Sequence, residues 1–288
     1  MIACIDIGGS SIKVAIEKEG QLIEKENLLI GETFESFIDE IVNWIASKQD
    51  IEGVAISAPG AVDVNTGIIG GSSALPYIHG PNFKEIFKQR LGLDISIEND
   101  ANCAALGEVY KGAAIGHKDV CFMVVGSGIG GAIVKDGIIH HGSHLHGGEF
   151  GYTLVPTLEG STAILSDTAS TRSLVERVSD KLEGDWNGLK VFEEAQKGNK
   201  VCIDSIEQFY HYLALGIYNI QYTYDPELFV IGGAISKRED LCDNIYRHID
   251  RILEEVKIAK IRPTVVPCQY FGDANLIGAS VYYHMLYD

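Results

Sequence analysis

The sequence predicts an α/β fold built from two related domains. Apolar strand-like runs alternate with amphipathic helical segments along the whole chain. Short glycine-containing turns, rather than low-complexity linkers, join them. One stretch of β-hairpin also occurs twice.

The elements follow in order. "IACIDI" reads as a strand, "GGSS" as a turn, and "IKVAIEKEGQLIE" as a hairpin reversing at "KEG". "ESFIDEIVNWIAS" places Phe37, Ile41, Trp44 and Ile45 at helical spacing. "IEGVAIS" is a buried strand stopped by Pro59-Gly60. "NFKEIFKQRLG" is a helix with Asn82 as N-cap and Gly92 just past its end. "LDISIEND" is a strand that runs straight into the helix "ANCAALGEVY". Further on, "STRSLVERVSDKL", "GLKVFEEAQKG" and "IDSIEQFYHYLALGIYNIQYTY" read as helices. The last is apolar on most faces and is expected to be central and buried. "ELFVIGGAIS" is a strand and glycine turn, "EDLCDNIYRHIDRIL" an amphipathic helix, "TVVPCQY" a strand and "DANLIGASVYYHML" a closing helix. The expected domains are 1–115, joined by the closing helix 273–288, and 116–272.

The repeat becomes visible on shifting the first hairpin by 117 residues, which lays "GSSIKVAIEKEGQLI" over "GSGIGGAIVKDGIIH". Gly9/Gly126, Ser10/Ser127, Ile12/Ile129, Ala15/Ala132, Ile16/Ile133, Lys18/Lys135 and Gly20/Gly137 coincide without a gap. The second copy contains G-x-G-x-x-G at Gly126, Gly128 and Gly131. That spacing marks a dinucleotide site only when its last glycine opens a helix. Here a strand follows, so that reading fails. A glycine turn between strands can still point backbone N–H groups at an anion. Two matched turns, with Ser10 and Ser127 adding hydroxyls and a third turn at Gly232-Gly233, suggest a phosphate clamp. Asp6 can hold Mg²⁺ directly or through water. The plainer alternative makes these tight turns and Asp6 a capping residue.

Composition narrows the function. A net charge of −17 disfavours nucleic acid and anionic membranes as partners. The six cysteines are scattered and never form C-x-x-C, which fits buried free thiols in a reducing cytoplasm. No targeting signal or membrane-length apolar run is evident, so a cytoplasmic location is expected.

At the end of "ISIEND", Asn99 and Asp100 lie where α/β sheets bind ligands. Asp100 can accept a hydroxyl proton while Asn99 fixes neighbouring hydroxyls, the division of labour that phosphoryl transfer needs. Asp100 can equally be the N-cap of the following helix. In "HGGEFGY", Glu149 can accept two sugar hydroxyls or be an ordinary surface carboxylate. His140, His141, His144 and His146 invite a zinc reading, against which stand their loop spacing and the absence of a cysteine partner. The other reading leaves them facing solvent or sugar.

Together "IDIGGSSIK", "VAISAPG", "IENDANCAALGE", "VGSGIGGAIV", "GGEFGY" and "VIGGAIS" resemble the ROK family of bacterial sugar kinases, in that family's order and over most of the chain. The resemblance implies two RNase-H-like (actin/hexokinase-like) domains around an interdomain cleft that binds ATP and sugar. By position it assigns Asp6, Gly8, Gly9, Ser10 and Lys13 to the first phosphate motif, and Ser127 and Gly128 to the second. Gly232 and Gly233 fall near the adenosine. Gly60, Asn99, Asp100, Glu149 and Tyr152 fall to the sugar, with Asp100 as base. Mg²⁺ accompanies the ATP, and the family often forms homodimers.

Three departures matter. Tyr152 replaces the usual histidine, and no cysteine occurs between Cys121 and Cys202, so no zinc is expected. The sugar-contacting Glu that follows the family's zinc cluster has only Ser166 or Asp167 as a counterpart. Ala74 stands where many members have a sugar-contacting Asn. These changes point to a substrate altered at C1 or C2, and "GEFGY" with "AST-x-x-LV" resembles zinc-less members assigned to β-glucosides or N-acetylmannosamine. The expected activity is ATP-dependent phosphorylation of a hexose derivative at its 6-hydroxyl. Glucose phosphorylation, a silent sugar-binding protein and a sugar-responsive regulator are the alternatives. The regulator reading lacks the N-terminal winged helix.

Overall fold

In the computed structural model, which describes residues 1–288, the chain is organised around two five-stranded sheets. The strands are β1 (Ile2–Ile7), β2 (Ile12–Lys18), β3 (Gln21–Leu28), β4 (Gly53–Ala58), β5 (Ala61–Asp63), β6 (Ile68–Gly70), β7 (Asp94–Asn99), β8 (Val120–Val125), β9 (Ile129–Lys135), β10 (Ile138–Ile139), β11 (Leu154–Pro156), β12 (Thr162–Ile164), β13 (Leu228–Gly232) and β14 (Val265–Pro267). The helices are α1 (Phe34–Ala46), α2 (Phe83–Leu91), α3 (Asp100–Lys111), α4 (Leu165–Ala169), α5 (Thr171–Ser179), α6 (Gly188–Gln196), α7 (Lys200–Tyr224), α8 (Leu241–Val256) and α9 (Ala274–Tyr287).

The sheets have the orders β3-β2-β1-β4-β7 and β10-β9-β8-β13-β14, the same plan twice. In each, an antiparallel hairpin is followed by two strands parallel to its first strand. Parallel strands are covered on both faces, so β1, β4 and β13 are buried along their whole length, which is why they read as unbroken apolar runs.

The chain divides into two units: residues 1–116, 141–147 and 272–288, and residues 117–140 and 148–271. The expected boundaries left 141–147 with the second group of residues. The structure places this loop with the first, where His141 bonds Glu98.

In the first unit, Ile5, Ile12, Phe37, Ile41, Ile56, Phe83, Phe87 and Ile97 form the main core. Asn82 caps α2 by accepting the Glu85 N–H, and Gly92 ends it in the left-handed region at φ 70°. α9 packs on α3 at very short range. A Cβ on Gly278 would lie 1.5 Å from the Cys103 carbonyl oxygen, and one on Gly107 would lie 2.9 Å from that of Ala274. Only glycine lets the two backbones meet this closely, and the contact brings the start of α9 beside β1.

In the second unit α7 is the central helix, with Phe209, Tyr210, Leu213, Ala214 and Ile217 fully buried among side chains of β8, β13, α5 and α8. Its N-cap is Asn199, so it begins before the apolar pattern does. The "TVVPCQY" strand is shorter than expected: it pairs with β13 over Val265–Pro267, after which only the Cys268 N–H still donates to the Ile231 carbonyl, at 2.9 Å. No helix is long and apolar enough to cross a membrane.

Candidate functional site

In the first unit, β7 delivers its C-terminal residues into the start of α3. Asn99, not Asp100, is the N-cap: its Oδ1 accepts the N–H groups of Ala101 and Asn102, while its Nδ2 donates to the Gly60 carbonyl at 3.0 Å. Asp100 is therefore the first helical residue, where the helix dipole favours its charge. Its Oδ1 accepts the Ala101 N–H at 2.8 Å. Asn99 thus spends its amide on the backbone, which ties the β4–β5 turn at Gly60 to the end of β7.

Behind this turn lies a charge network that the motifs did not reveal. Glu98 is fully buried, accepting the Asn99 N–H at 2.7 Å and the Asn102 amide at 2.9 Å. Its other oxygen meets His141 Nε2 at 2.6 Å. That bond raises the His141 pKa above the usual histidine range, outweighing the opposing effect of burial. The remaining histidines do not converge with it: His146 Nδ1 bonds the carbonyl of His144. No cluster of three or more metal-ligating side chains occurs.

The first glycine turn joins β1 to β2, closed by the Gly8 N–H on the Ser11 carbonyl at 3.1 Å. Gly9 and Ser10 are exposed at its tip. A Cβ on Gly9 would lie 3.1 Å from the Ala74 methyl, so the Asn-to-Ala departure sits directly beside this turn. Asp6, near the end of β1, is buried. Its Oδ1 accepts from Ser57 and from Asn275, each at 2.9 Å, and its Oδ2 lies 3.6 Å from the Lys13 ammonium. Lys13 also donates to the Gly272 carbonyl.

The second turn, between β8 and β9, is closed by the Gly126 N–H on the Gly128 carbonyl at 2.9 Å. Ser127 is exposed. Other elements brace it: the Thr171 N–H donates to the Gly126 carbonyl, Arg172 Nε to the Ser127 carbonyl at 3.0 Å, and Ile129 N–H to Ser166 Oγ at 2.9 Å. Arg172 is steadied by Asp167 and Glu176. Ser166 and Asp167, the sequence candidates for a sugar contact, thus serve this turn and its arginine. Gly233 follows β13 at φ 91°, and a Cβ there would lie 2.2 Å from the Val125 carbonyl oxygen. The Gly232-Gly233 turn therefore packs directly against the strand leading into the second turn.

Glu149, also in the second unit, precedes a single helical turn that contains the buried Phe150 and ends with Tyr152. Glu149 and Tyr152 are exposed, Tyr152 at 69%.

Ser57, Glu98, Asn102, Arg172 and Asn275 were not among the sequence candidates, and His141 was weighed as a metal ligand or a solvent- or sugar-facing residue, not as the partner of Glu98. Glu98 and Asn102 carried a usable signal, a carboxylate and amide four residues apart at a strand–helix junction.

The ROK family profile matches residues 2–285. A β-glucoside kinase from Klebsiella pneumoniae is 30% identical over 99% of this chain and 97% of its own. Among solved structures, a ROK family protein from Streptococcus pneumoniae in complex with sucrose has a TM-score of 0.91 and 37% identity, covering 99% of this chain and 98% of that one. A ROK family glucokinase from Streptomyces griseus in complex with glucose and AMPPNP has a TM-score of 0.76 and 27% identity, covering 96% and 97%.

Proposed function

The chain belongs to the ROK family, and on that footing we propose an ATP-dependent sugar kinase that phosphorylates the 6-hydroxyl of a β-glucoside. The observation that carries the reading is the strand–helix junction of the first unit. There Asn99 is locked as cap and Asp100 stands next to it on the first turn of α3. Asp100 accepts the proton of the attacking hydroxyl. Asn99 and Gly60, tied to one another, fix the acceptor side, and Glu149 and Tyr152 contribute sugar contacts from exposed positions.

The glycine turns supply donors for the ATP phosphates: Gly8, Gly9 and Ser10 in one unit, Ser127 and Gly128 in the other. Gly232 and Gly233 border the adenosine. Asp6 fits a hydrated Mg²⁺ held through water. It is nearly buried, one oxygen is committed to Ser57 and Asn275, and the other is turned toward Lys13. When bound, the ion neutralises phosphate charge; the residues themselves orient the hydroxyl and remove its proton. The proposed working form is cytoplasmic and homodimeric, and it needs no zinc.

A glycoside substrate is supported by the 30% identity to a β-glucoside kinase and by sucrose, a sugar blocked at its anomeric carbon, in the Streptococcus structure. ADP release measured across β-glucosides such as cellobiose, N-acetylmannosamine and glucose decides the substrate. The highest kcat/KM is expected for a β-glucoside, and a preference for N-acetylmannosamine or free glucose refutes that part. For the chemistry, Asp100→Asn is expected to lower kcat by about 10²–10⁴-fold, the usual contribution of a positioned base. Its sugar affinity should persist in a direct binding titration. Turnover near that of the unaltered protein sinks the assignment.

A further inference from the structure

We propose that His141 is a positioning residue: as an imidazolium it neutralises the buried Glu98 carboxylate and thereby fixes the Asn99–Asp100 junction and the His141–Gly147 loop in the geometry the sugar requires. The inference rests on the kinase reading for its catalytic consequence, and on geometry alone for the tether itself.

Glu98 lies one residue before the cap of α3 and is completely shielded from solvent. Its Oε1 holds the backbone N–H of Asn99 and the side chain of Asn102, so its position sets the first turn of α3. A buried carboxylate deprived of its counter-charge is strongly destabilising. The cation that meets it is His141, at 2.6 Å, a distance typical of a charge-assisted bond. The surroundings offer no other positive partner to Glu98. The titratable groups that feel its charge are Cys103 on α3 and Tyr282 on α9, and both are pushed up in pKa mainly by burial and in part by Glu98. Asp6 on β1 and Asp100 on α3 add further negative charge around Cys103.

His141 also opens a loop whose ends are drawn together by the Gly147 N–H on the His141 carbonyl at 2.9 Å. This loop belongs to the first unit although the chain before and after it belongs to the second. Glu149 follows the loop by two residues. One ion pair thus fastens the junction carrying Asn99 and Asp100 and the loop that leads into Glu149.

The sign of the pH effect follows. The folded-state pKa of His141 is raised, so the charged pair is intact below the ordinary histidine value near 6.5 and is lost as pH rises through the raised value. The test combines NMR titration of the His141 ring with sugar kinetics and amide hydrogen exchange in the full-length protein. In the unaltered protein His141 should titrate above the ordinary range, and kcat/KM for the sugar should fall through the same ionisation. Glu98→Gln should move that ionisation down by about one unit or more, the size of a typical ion-pair shift. His141→Gln should raise the sugar KM about tenfold, leave the ATP KM within about twofold, abolish that limb of the pH profile, and speed exchange at the amides of residues 99–102. His141→Lys, which restores a cation without a histidine pKa, should recover most of the sugar KM.

Unchanged exchange at those amides in His141→Gln overturns the proposal, as does a His141 that titrates at or below the ordinary range. An unaltered sugar pH profile in that variant does so as well. Absence of turnover with every sugar would instead refute the kinase reading, while the titration and exchange results still decide the tether.

Discussion

The two glycine hairpins descend from one pattern yet are equipped differently. β2 and β9 correspond at an offset of 117 residues, Ile12–Lys18 onto Ile129–Lys135. The preceding strands do not keep that offset, because Ile7 pairs with Ile12 whereas Val125 pairs with Ile129. The first turn therefore has four residues and the second three, a slip that the ungapped sequence overlay hid.

The slip accompanies a change of chemistry. Where the first hairpin sets Asp6 opposite Lys13, the second sets Val124 opposite Gly130. The first is braced by a hydroxyl from β4 and an amide from α9; the second is braced by α4, α5 and the turn after β13, with Arg172 as its cation. A carboxylate suits a hydrated cation, and an arginine over a glycine turn suits the anion itself. Under the proposed function, the first hairpin is equipped for a cation and the second for an anion.

The sharpest way to break this contrast is to remove the carboxylate. Asp6→Asn keeps the size and an acceptor for Ser57 and Asn275, yet kcat should fall by about 10²-fold or more, as when a comparable preorganised electrostatic contact is lost. The dependence on Mg²⁺ concentration should shift upward, and kinetics across a magnesium series reads both. Gly233→Ala perturbs the brace of the second hairpin through a strained φ and a collision with Val125. It should raise the ATP KM about tenfold and lower the melting temperature, at a stability cost of about 1–3 kcal/mol. Thermal denaturation with and without nucleotide checks both effects. Arg172→Gln should have the smallest effect, raising the ATP KM about threefold to tenfold with the sugar KM unchanged. Arg172 is half-exposed and already shared with Asp167 and Glu176, which limits its contribution. Equal changes in both KM values would remove the arginine from the phosphate side.

What was legible in the sequence was local. Alternating strands, the hairpin turns and Asn82 as a cap all depend on neighbours within a few residues. The junction at Asn99 and Asp100 was half legible: the switch from strand to helix could be read, but not which residue capped the helix, because either side-chain oxygen can serve and backbone geometry decides. The supports were illegible because they are distant. Asn275 reaches Asp6 across 269 positions, His141 reaches Glu98 across 43, and Arg172 reaches Ser127 across 45. No periodicity encodes such pairs. The tight crossing of α3 and α9 showed only as two isolated glycines, Gly107 and Gly278, indistinguishable beforehand from helix weakeners.

That crossing has a consequence for biosynthesis. The first unit takes its final helix from the end of the chain, and α9 packs on α3, β1, β4 and β7. During synthesis the β1–β4–β7 sheet emerges early, but its covering helix follows every element of the second unit. The second unit can complete its own core first, because all of its residues precede Gly272. The nascent first unit must wait with apolar surface exposed until α9 arrives. Asp6 gains its bond to Asn275 only once the chain has been made through α9, so the first unit takes its final form only when that helix docks.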